Sequence, residues 1–315
     1  MVLFILMHLF LVFLIQIHLI KNIFFITVII MTILKKEEFN KKIFSKIEKL
    51  INQYNLIDNG DNIAVALSGG KDSVLTLYAL VKYQNDSNID FDLTAISVDE
   101  GIDGYRKHGI ESAIKNAEKL DVELIQKSFS EEVGFKLDNI YHHFKSACIP
   151  CGVFRRSILN KTAFEIGADK IATGHNLDDE IQSFLMSFSR ADTIKFSKFG
   201  PMLSMIHPKL IPRIKPLWNT SEKDVGIWAV MNNINIHFDE CPYSNISLRG
   251  KTKNFLNKIE SKNPGTKENI MESFKKMILD IKTQKNNINE CKKCGEPCSG
   301  LICKACEITD LISNS

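Results

Sequence analysis

The stretch IAVALSGGKDS, residues 63–73, decides the fold of this chain of 315 residues. IAVAL (63–67) is a short apolar run bounded by turn-forming residues, which predicts a buried strand. SGGKDS (68–73) follows, and a helical pattern then runs from Val74 to Tyr83. Paired glycines at a strand-to-helix junction let the backbone approach an anion, and the N–H groups of a helix N-terminus favour negative charge. The stretch therefore predicts a phosphate-binding loop.

The side chains of this loop suit the same role. Ser68 and Ser73 supply hydroxyl donors, and Lys71 can neutralise a phosphate oxygen. A Walker A motif places four residues between its glycines and follows them with Lys-Ser or Lys-Thr, a spacing that SGGKDS does not have. The structural alternative is a tight glycine turn before a helix, but strand, loop and helix in register favour the binding loop.

Strands and helices alternate along the rest of the chain at the spacing of βαβ units. This alternation predicts an α/β fold, a parallel sheet with helices on both faces. The predicted strands after the first are 92–98, 122–127 and 169–174. The predicted helices are 36–56, 74–83, 105–119, one after Cys151, 177–189, 221–232 and a lysine-rich stretch that ends near 285.

A second polar cluster, TGHNLDDE (173–180), follows the fourth predicted strand. It lies at the carboxyl edge of the sheet, where open α/β folds bind ligands. Asp178 and Asp179 can hold Mg²⁺ through its preference for oxygen ligands, or orient a nucleophile. The alternative is helix N-capping, which one of the pair can fulfil. Asp99, at the end of the second strand, is a weaker candidate because such residues often only cap.

Eight cysteines occur in clusters, which favours metal or thiol chemistry over disulfides. The tail CKKCGEPCSGLICKAC (291–306) holds two CxxC pairs separated by eight residues. Four thiolates at this spacing suit tetrahedral Zn²⁺ in a closed structural site. We therefore predict a small zinc ribbon over 290–308, with Cys298 as a spectator. Its predicted zinc ligands are Cys291, Cys294, Cys303 and Cys306.

Three further cysteines lie in the body of the chain: Cys148 and Cys151 in SACIPCG, and Cys241 in DECPYS. Three thiolates do not complete a structural zinc site. They can bind a [4Fe–4S] cluster and leave one iron open for a non-protein ligand. The alternative is a redox CxxC that passes a persulfide, with Cys241 as the resolving thiol. Taken alone, Cys241 could also be a small buried hydrophobe.

Composition sets wide limits on function. Hydrophobic residues make up 44% and charged residues 24%, which excludes collagen-like, coiled-coil and disulfide-scaffold proteins. The net charge of +3 gives no strong nucleic-acid or membrane signal. Two segments are locally basic, however: 190–215 has six basic residues against one acid, and 249–285 is rich in lysine. Such segments can follow a phosphate backbone, or they can be solvated helix faces.

The N-terminal segment 1–30 is strongly hydrophobic and carries one charge, Lys21. It is long enough to span a bilayer as a helix. A signal peptide fits poorly, because no basic region precedes the apolar run and no small-residue cleavage site follows it. Two interpretations stay open: a membrane anchor, or translated upstream sequence with the true start at Met31.

Taken together, these motifs resemble the PP-loop tRNA 2-thiouridine synthetases of archaea, some bacteria and the eukaryotic cytosol. The lone Cys241 favours this branch, since cytidine-32 thiolases typically carry a second CxxC there. Members often begin with another zinc finger, whereas this chain has no cysteine before Cys148, and Cys298 stands where relatives tend to have Thr or Ser. The matching motifs, in order over 36–308, are SGGKDS, SACIPCGVFRR, ATGHNLDDE, ECPYS, PGTK and the terminal CxxC pairs.

The resemblance implies a PP-loop ATP pyrophosphatase (HUP-like) domain over 36–285, with ATP, Mg²⁺, a [4Fe–4S] cluster and Zn²⁺ as cofactors. It implies catalytic roles for Asp179 and Arg155, for which Arg156 could substitute, and an open iron held by Cys148, Cys151 and Cys241. The uridine oxygen would attack the α-phosphorus of ATP, and sulfur would then displace AMP. The implied ATP-binding residues are Ala66, Ser68, Gly69, Gly70, Lys71, Asp72, Ser73, Ser97 and Gly174.

The implied partners are tRNA, a second copy of the chain, and a sulfur donor that is either a ubiquitin-like thiocarboxylate carrier or sulfide. The implied location is the cytoplasm, with membrane tethering if residues 1–30 are an anchor. Two competing hypotheses fit less well. An ammonia-dependent adenylating synthetase leaves the cysteines unexplained, and no glutaminase segment is visible. A non-catalytic zinc-ribbon RNA-binding protein conflicts with the intact SGGKDS and LDDE motifs.

Overall fold

The computed structural model describes residues 33–192, 195–196, 199–203, 206–243, 248–280 and 288–313. The chain divides into two compact units, residues 1–45 and 46–315, and the second carries the sheet and every site discussed below. The predicted hydrophobic segment 1–30 lies outside the described residues. None of the helices in the described part of the chain has the length and apolar character needed to cross a bilayer.

A five-stranded sheet organises the second unit, and every pair of neighbouring strands is parallel. Its spatial order is β3-β2-β1-β4-β5. A separate antiparallel pair, β6-β7, belongs to the C-terminal module. The strands are β1 (Asn62–Ala66), β2 (Asp92–Asp99), β3 (Glu123–Ser128), β4 (Lys170–Ala172), β5 (Arg213–Ile214), β6 (Asn289–Glu290) and β7 (Pro297–Cys298).

Helices connect and cover these strands, with α1 (33–54) before β1. The others are α2 (Lys71–Asp86), α3 (Arg106–Lys119), α4 (Phe129–Val133), α5 (Leu137–Ile140), α6 (Cys148–Glu165), α7 (Leu177–Phe188), α8 (Glu222–Met231), α9 (Leu248–Lys262), α10 (Thr266–Asp280) and α11 (Lys304–Ser313). A single 3₁₀ turn, Tyr141–His143, lies between α5 and α6.

The strand order reverses at β1. The chain builds outward from β1 through β2 to β3, and then returns to add β4 and β5 on the other side. Loops that follow β1 and β4 diverge at such a reversal and open a crevice at the carboxyl edge of the sheet. Here SGGKDS joins β1 to the first turn of α2, and the loop after β4 is TGHN, residues 173–176. The two polar motifs of the sequence therefore share one crevice.

Helix α6 packs closely on the sheet because the residues between them are small or aliphatic. Ala163 of α6 meets Ala64, Ile96 and Ile171 of the sheet in one buried cluster. A second buried cluster surrounds the first half of α6. It contains Val98, Ile102, Phe129, Leu137, Ile140, Phe154, Ile158 and Ile308. Both clusters hold α6 against the edge of the crevice.

The predicted α/β class, with a parallel sheet and a small C-terminal ribbon, is confirmed. Some bounds differ. The strand predicted at 169–174 is only Lys170–Ala172, so Thr173 already belongs to the loop. The lysine-rich stretch is two helices, α9 and α10, because Pro264 and Gly265 interrupt it. The helix predicted after Cys151 begins at Cys148 and therefore contains both cysteines.

Candidate active site

The SGGKDS loop is a tightly closed turn between β1 and α2. Gly69 has φ +82°, and a Cβ there would lie 2.7 Å from the carbonyl carbon of Gly109 in α3. The Ser73 hydroxyl donates to the carbonyl oxygen of Gly70 at 2.9 Å and accepts from the backbone N–H of Ser68 at 3.1 Å. Only glycine fits at residue 69, because the position is left-handed and has no space for a side chain.

The loop after β4 packs directly on the start of α2. A Cβ at Gly174 would lie 2.7 Å from the carbonyl carbon of Asp72 and 2.8 Å from the backbone nitrogen of Ser73. The Asn176 amide also donates to the Asp72 carboxylate at 2.8 Å. The structure thus brings Gly174 and the SGGKDS loop together. Ala66 is the last residue of β1 and pairs with Ile96 of β2, which Ser97 follows.

Lys71 points toward acidic groups in this structure. Its ammonium lies 2.8 Å from the carboxylate of Asp72 and 3.1 Å from that of Glu222 in α8. Burial alone would lower the pKa of Lys71, but these two carboxylates outweigh it and raise the pKa. Lys71 is therefore a cation at neutral pH and suits a phosphate oxygen that enters the crevice.

The paired aspartates at the start of α7 have different partners. Asp179 forms a capping box with Asn176 and also accepts from Arg249 of α9 at 3.0 Å. Asp178 is buried, accepts from the backbone N–H of Glu222 at 2.8 Å and pairs with Lys267. Asp179 therefore helps to cap α7, as the alternative interpretation of the pair expects, while Asp178 binds the first turn of α8.

Asp179 titrates unusually for an aspartate. About a third of its side chain (32%) reaches solvent, but the walls of the crevice desolvate the carboxylate and raise its pKa to about 6. The nearby acids Asp72 and Glu222 add to this rise, whereas Arg249 opposes it. A carboxylate with this pKa can exchange a proton near neutral pH.

The three cysteines of the chain body meet beside the crevice. Cys148 and Cys151 occupy the first turn of α6, and Cys241 arrives from the segment after α8. All three are free thiols; Cys148 is exposed and the other two are half-buried. Burial raises the pKa of Cys151 to about 12, and the neighbouring Cys241 and Cys148 add to the rise. Burial also raises the pKa of Cys241, and the neighbouring Cys148 adds to that rise.

Arginines surround this cysteine group. Arg155 lies one turn after Cys151 on α6 and lowers the pKa of that thiol against the effect of burial. Burial, and then the charges of Arg156 and Arg155, lower the pKa of Arg213 in β5 to about 10. Arg156 and Arg213 have no acidic partner among the described residues. Unpaired guanidinium groups at a crevice mouth attract anions and can bind phosphates bidentately.

Several cations of the two basic segments form ion pairs within the protein. In 190–215, Lys215 binds Glu180 at 2.9 Å, Lys209 binds Glu290 at 2.9 Å and Lys195 binds Asp192 at 2.8 Å. In 249–285, Arg249, Lys253 and Lys267 bind acids of the crevice itself. These six cations are therefore not simply solvated charges on helix faces, because each forms an ion pair with an acid of the protein.

The C-terminal module gathers four cysteines around one point. The sulfur atoms of Cys291, Cys294, Cys303 and Cys306 all lie within 4.8 Å of one another. Burial would raise the pKa of Cys291, but N–H donors from Cys294, Cys303 and Lys293 lower it to about 6. Cys298 lies outside this group and contacts the carbonyl of Gly300 at 3.2 Å.

One candidate from the sequence has only a local role, and several residues that the sequence did not single out complete the crevice. Asp99, the weaker candidate, caps a turn through the N–H of Gly101 at 2.8 Å. Its neighbour Glu100 is buried and binds Arg106 at 2.8 Å and Arg155 at 3.4 Å. Arg249 could have been found in its basic segment and Lys267 in the PGTK motif, but Arg106 carries no local signal.

A family model described as a PP-loop domain matches residues 39–258. The tRNA 2-thiolation protein NcsA of Haloferax volcanii is 32% identical over 297 residues, which cover 88% of this chain and 92% of that protein. The tRNA-5-methyluridine(54) 2-sulfurtransferase of Pyrococcus horikoshii is 33% identical over 278 residues, covering 88% and 87% of the two chains.

Among solved structures, the U34-tRNA thiolase NcsA from Methanococcus maripaludis, with its [4Fe–4S] cluster, superposes with a TM-score of 0.75. It is 34% identical in sequence, and the match covers 87% of this chain and 88% of that one. The resemblance found from the motifs is thereby confirmed over most of the chain.

We predict that Gly69→Ala strongly weakens nucleotide binding, because its Cβ would displace the loop from Gly109. Gly104→Ala is the matched control, since Gly104 also has a positive φ (+73°) but has open space around it. Both changes should cost about 1–2 kcal/mol of backbone strain. Titration calorimetry with an ATP analogue should show at least a tenfold weaker Kd for Gly69→Ala alone; equal affinities would contradict the steric argument.

Proposed function

The chain belongs to the PP-loop family of tRNA 2-thiolation proteins, and from this premise we propose that it is an ATP-dependent tRNA 2-thiouridine synthetase. Its substrate would be a tRNA uridine, whose C2 oxygen is replaced by sulfur at the expense of ATP. The observation that supports this most strongly is the convergence of two groups at one sheet edge. These are the SGGKDS loop and the three cysteines Cys148, Cys151 and Cys241, which Glu100 and Arg155 connect.

The donor set at the three cysteines fits an iron–sulfur cluster. Cys148, Cys151 and Cys241 are free thiols that influence one another electrostatically, and the cationic Arg155 acts on Cys151 and Cys241. A thiol whose pKa is raised to about 12 by burial and by neighbouring thiols becomes a good ligand once iron supplies positive charge. When bound, a [4Fe–4S] cluster with three protein ligands supplies an open iron at which sulfur can be held.

The first step is adenylation of the base. ATP enters as its Mg²⁺ complex, and the backbone of the SGGKDS loop with Lys71 holds its β- and γ-phosphates. The C2 oxygen of the uridine attacks the α-phosphorus, pyrophosphate leaves, and the N3 proton is lost. Asp179, with its pKa near 6, accepts that proton. Arg155 stabilises the charge that develops on the α-phosphate through its bidentate guanidinium.

The second step exchanges oxygen for sulfur. A hydrosulfide attacks C2 of the adenylated uridine, AMP leaves with the former C2 oxygen, and the hydrosulfide proton restores N3–H. Adenylation matters because AMP is a far better leaving group than oxide. Arg155 would again stabilise the departing phosphate, and its position one turn after Cys151 supports a role in both steps.

The tRNA backbone would lie along the mouth of the crevice. Arg156 and Arg213 are exposed or half-exposed there and have no acidic partner among the described residues. Guanidinium groups bind phosphates without reading base sequence, so they would hold and orient the tRNA. Their affinity should fall with increasing salt.

The C-terminal module fits a structural Zn²⁺ ion. Four thiols within 4.8 Å of one another, with backbone N–H donors on Cys291, match the needs of a closed tetrahedral site. Residues that would hold the ion are Cys291, Cys294, Cys303 and Cys306. Its role would be to fix the start of α11, whose Ile308 is buried in the cluster beneath α6.

The proposed activity is tested with full-length protein purified and iron-reconstituted anaerobically. It is incubated with ATP-Mg²⁺, sulfide and unmodified tRNA transcripts, and the digested nucleosides are analysed by mass spectrometry. We expect 2-thiouridine with an equal amount of AMP, and fragment mapping names the position. AMP without 2-thiouridine would show that a protein sulfur carrier is required. Absence of AMP would reject the proposed enzyme and favour an RNA-binding protein.

We predict that Cys148→Ala removes iron and thiolation together, because it deletes one of three ligands. Cys298→Ala is the matched control, since Cys298 lies outside both cysteine groups and should leave both properties intact. Iron is measured by its absorbance and by metal analysis. Retained thiolation in the iron-free variant would reject the cluster and favour persulfide chemistry.

We predict that the C-terminal module binds one zinc per chain. Cys306→Ser should lower the zinc content to well below half because it removes one of four close thiols, whereas Cys298→Ser should leave it unchanged. Inductively coupled plasma mass spectrometry of iron-free protein measures this directly. Equal zinc loss in both variants would show that Cys298 takes part in the site.

The pKa of Asp179, raised to about 6, predicts the acid limb of the reaction. AMP formation should fall as the pH drops through about 6, because the protonated carboxyl no longer accepts the N3 proton. Arg249 lowers this pKa, so Arg249→Ala should move the limb to higher pH and Arg249→Lys should largely restore it. Ser183→Ala removes the other Arg249 contact, at 3.0 Å, without changing charge, and should leave the limb in place.

A further inference from the structure

Arg106, at the start of α3, is a buried arginine that joins the ends of two strands. Only 6% of the residue is exposed. Its guanidinium donates to the carbonyl oxygen of Ser68 at 2.6 Å and to that of Val98 at 2.9 Å. It also donates to the Ser97 hydroxyl at 3.0 Å. Arg106 therefore fixes the SGGKDS loop relative to the end of β2.

Glu100 continues this connection toward the cysteines. One carboxylate oxygen binds Arg106 at 2.8 Å, and the other lies 3.4 Å from the guanidinium of Arg155. Glu100 is as deeply buried as Arg106, with 6% exposed. Arg155 follows Cys151 by four residues on α6, which is about one helical turn. A continuous path of hydrogen bonds and ion pairs thus runs from the carbonyl of Ser68 to the helix that carries Cys148 and Cys151.

A second path leads from the same loop to Cys241. The backbone N–H of His237 donates to the carbonyl oxygen of Gly69 at 3.0 Å. The Ser112 hydroxyl of α3 lies within 2.9 Å of that oxygen and 2.8 Å of the Asn235 carbonyl oxygen. His237 precedes Cys241 by only four residues. The SGGKDS loop is therefore connected both to the helix of Cys148 and Cys151 and to the segment that carries Cys241.

We propose that Arg106 and Glu100 are positioning residues that couple nucleotide binding at the SGGKDS loop to the placement of Arg155 and Cys151. The proposal rests on the proposed function, in which the two centres act on one base in succession. Phosphate entry rearranges the contacts of the loop, and Arg106 transmits that change because it holds the Ser68 carbonyl. Thermodynamic reciprocity then requires the state of the cysteine group to alter nucleotide affinity by the same factor.

The test measures the coupling without relying on turnover. Iron-free, reduced protein is alkylated with iodoacetamide with and without an ATP analogue, and the rate at Cys151 is followed by peptide mass spectrometry. We expect the nucleotide to slow alkylation of wild-type Cys151 about fivefold, within the usual range of coupling between sites. Arg106→Lys keeps the charge but loses the forked contacts, and Glu100→Gln keeps the shape but loses the charge. Both should reduce the nucleotide effect to less than about twofold.

Lys107→Gln is the matched control, since Lys107 is the next residue of α3 and its side chain is 80% exposed. It should respond to nucleotide like the wild type. Arg155→Lys tests the contact between Glu100 and Arg155. The Arg155 side chain is 47% exposed, so this change should not impair folding. It should also lose the response to nucleotide. Thermal unfolding and nucleotide Kd are measured for every variant. A response that persists in Arg106→Lys or Arg155→Lys, or that is absent in the wild type, overturns the proposal.

The outcomes also separate this proposal from the proposed function. Wild-type protein that makes no 2-thiouridine but shows the nucleotide effect on Cys151 would keep the coupling and reject the activity. If the wild-type protein thiolates tRNA but the variants keep the nucleotide effect, the activity is supported and the coupling is rejected. In an active enzyme, Arg106→Lys should lower kcat more than it raises KM for ATP. A purely structural role would lower thermal stability without this difference.

Discussion

Two backbone contacts that leave no space for a side chain hold the whole crevice together. Gly69 lies against Gly109 at the start of α3, and Gly174 lies against the first turn of α2. The second contact depends on the strand order, which reverses at β1 and brings the loop after β4 beside the loop after β1. Every charged group of the site is then positioned relative to these two loops.

Three acidic groups of the crevice are each held by a cation that lies far away in the sequence. Glu222 binds Lys71 and Lys253, Asp179 binds Arg249, and Asp178 binds Lys267. Pairs that are partly buried gain little net stability, because desolvation offsets their attraction. Their value here is geometric. They attach α9 and α10 to the crevice and keep each carboxylate in one orientation.

Helix α6 connects the cysteine group to the rest of the protein. Its first turn carries Cys148 and Cys151, while Phe154 and Ile158 on the same helix are buried in an apolar cluster. Ile308 of the C-terminal module is 3% exposed and completes that cluster. Because Cys306 precedes Ile308 by two residues, the four-thiol group of the tail and the support of the cysteine helix depend on the same short segment.

The sequence alone determined the features that are encoded by short spacing: the strand-loop-helix of SGGKDS, the βαβ alternation and the terminal CxxC pairs. Each depends on residue types within a few positions, and the fold class followed from them. The tertiary structure decided which residues work together. In the folded protein Glu100 contacts the site arginines, whereas its neighbour Asp99 only caps a turn. Asp178 and Asp179 have separate partners, and Cys241 lies near a helix that begins 93 positions earlier. Such choices depend on how distant segments pack and which charges are buried together, and no local pattern records that.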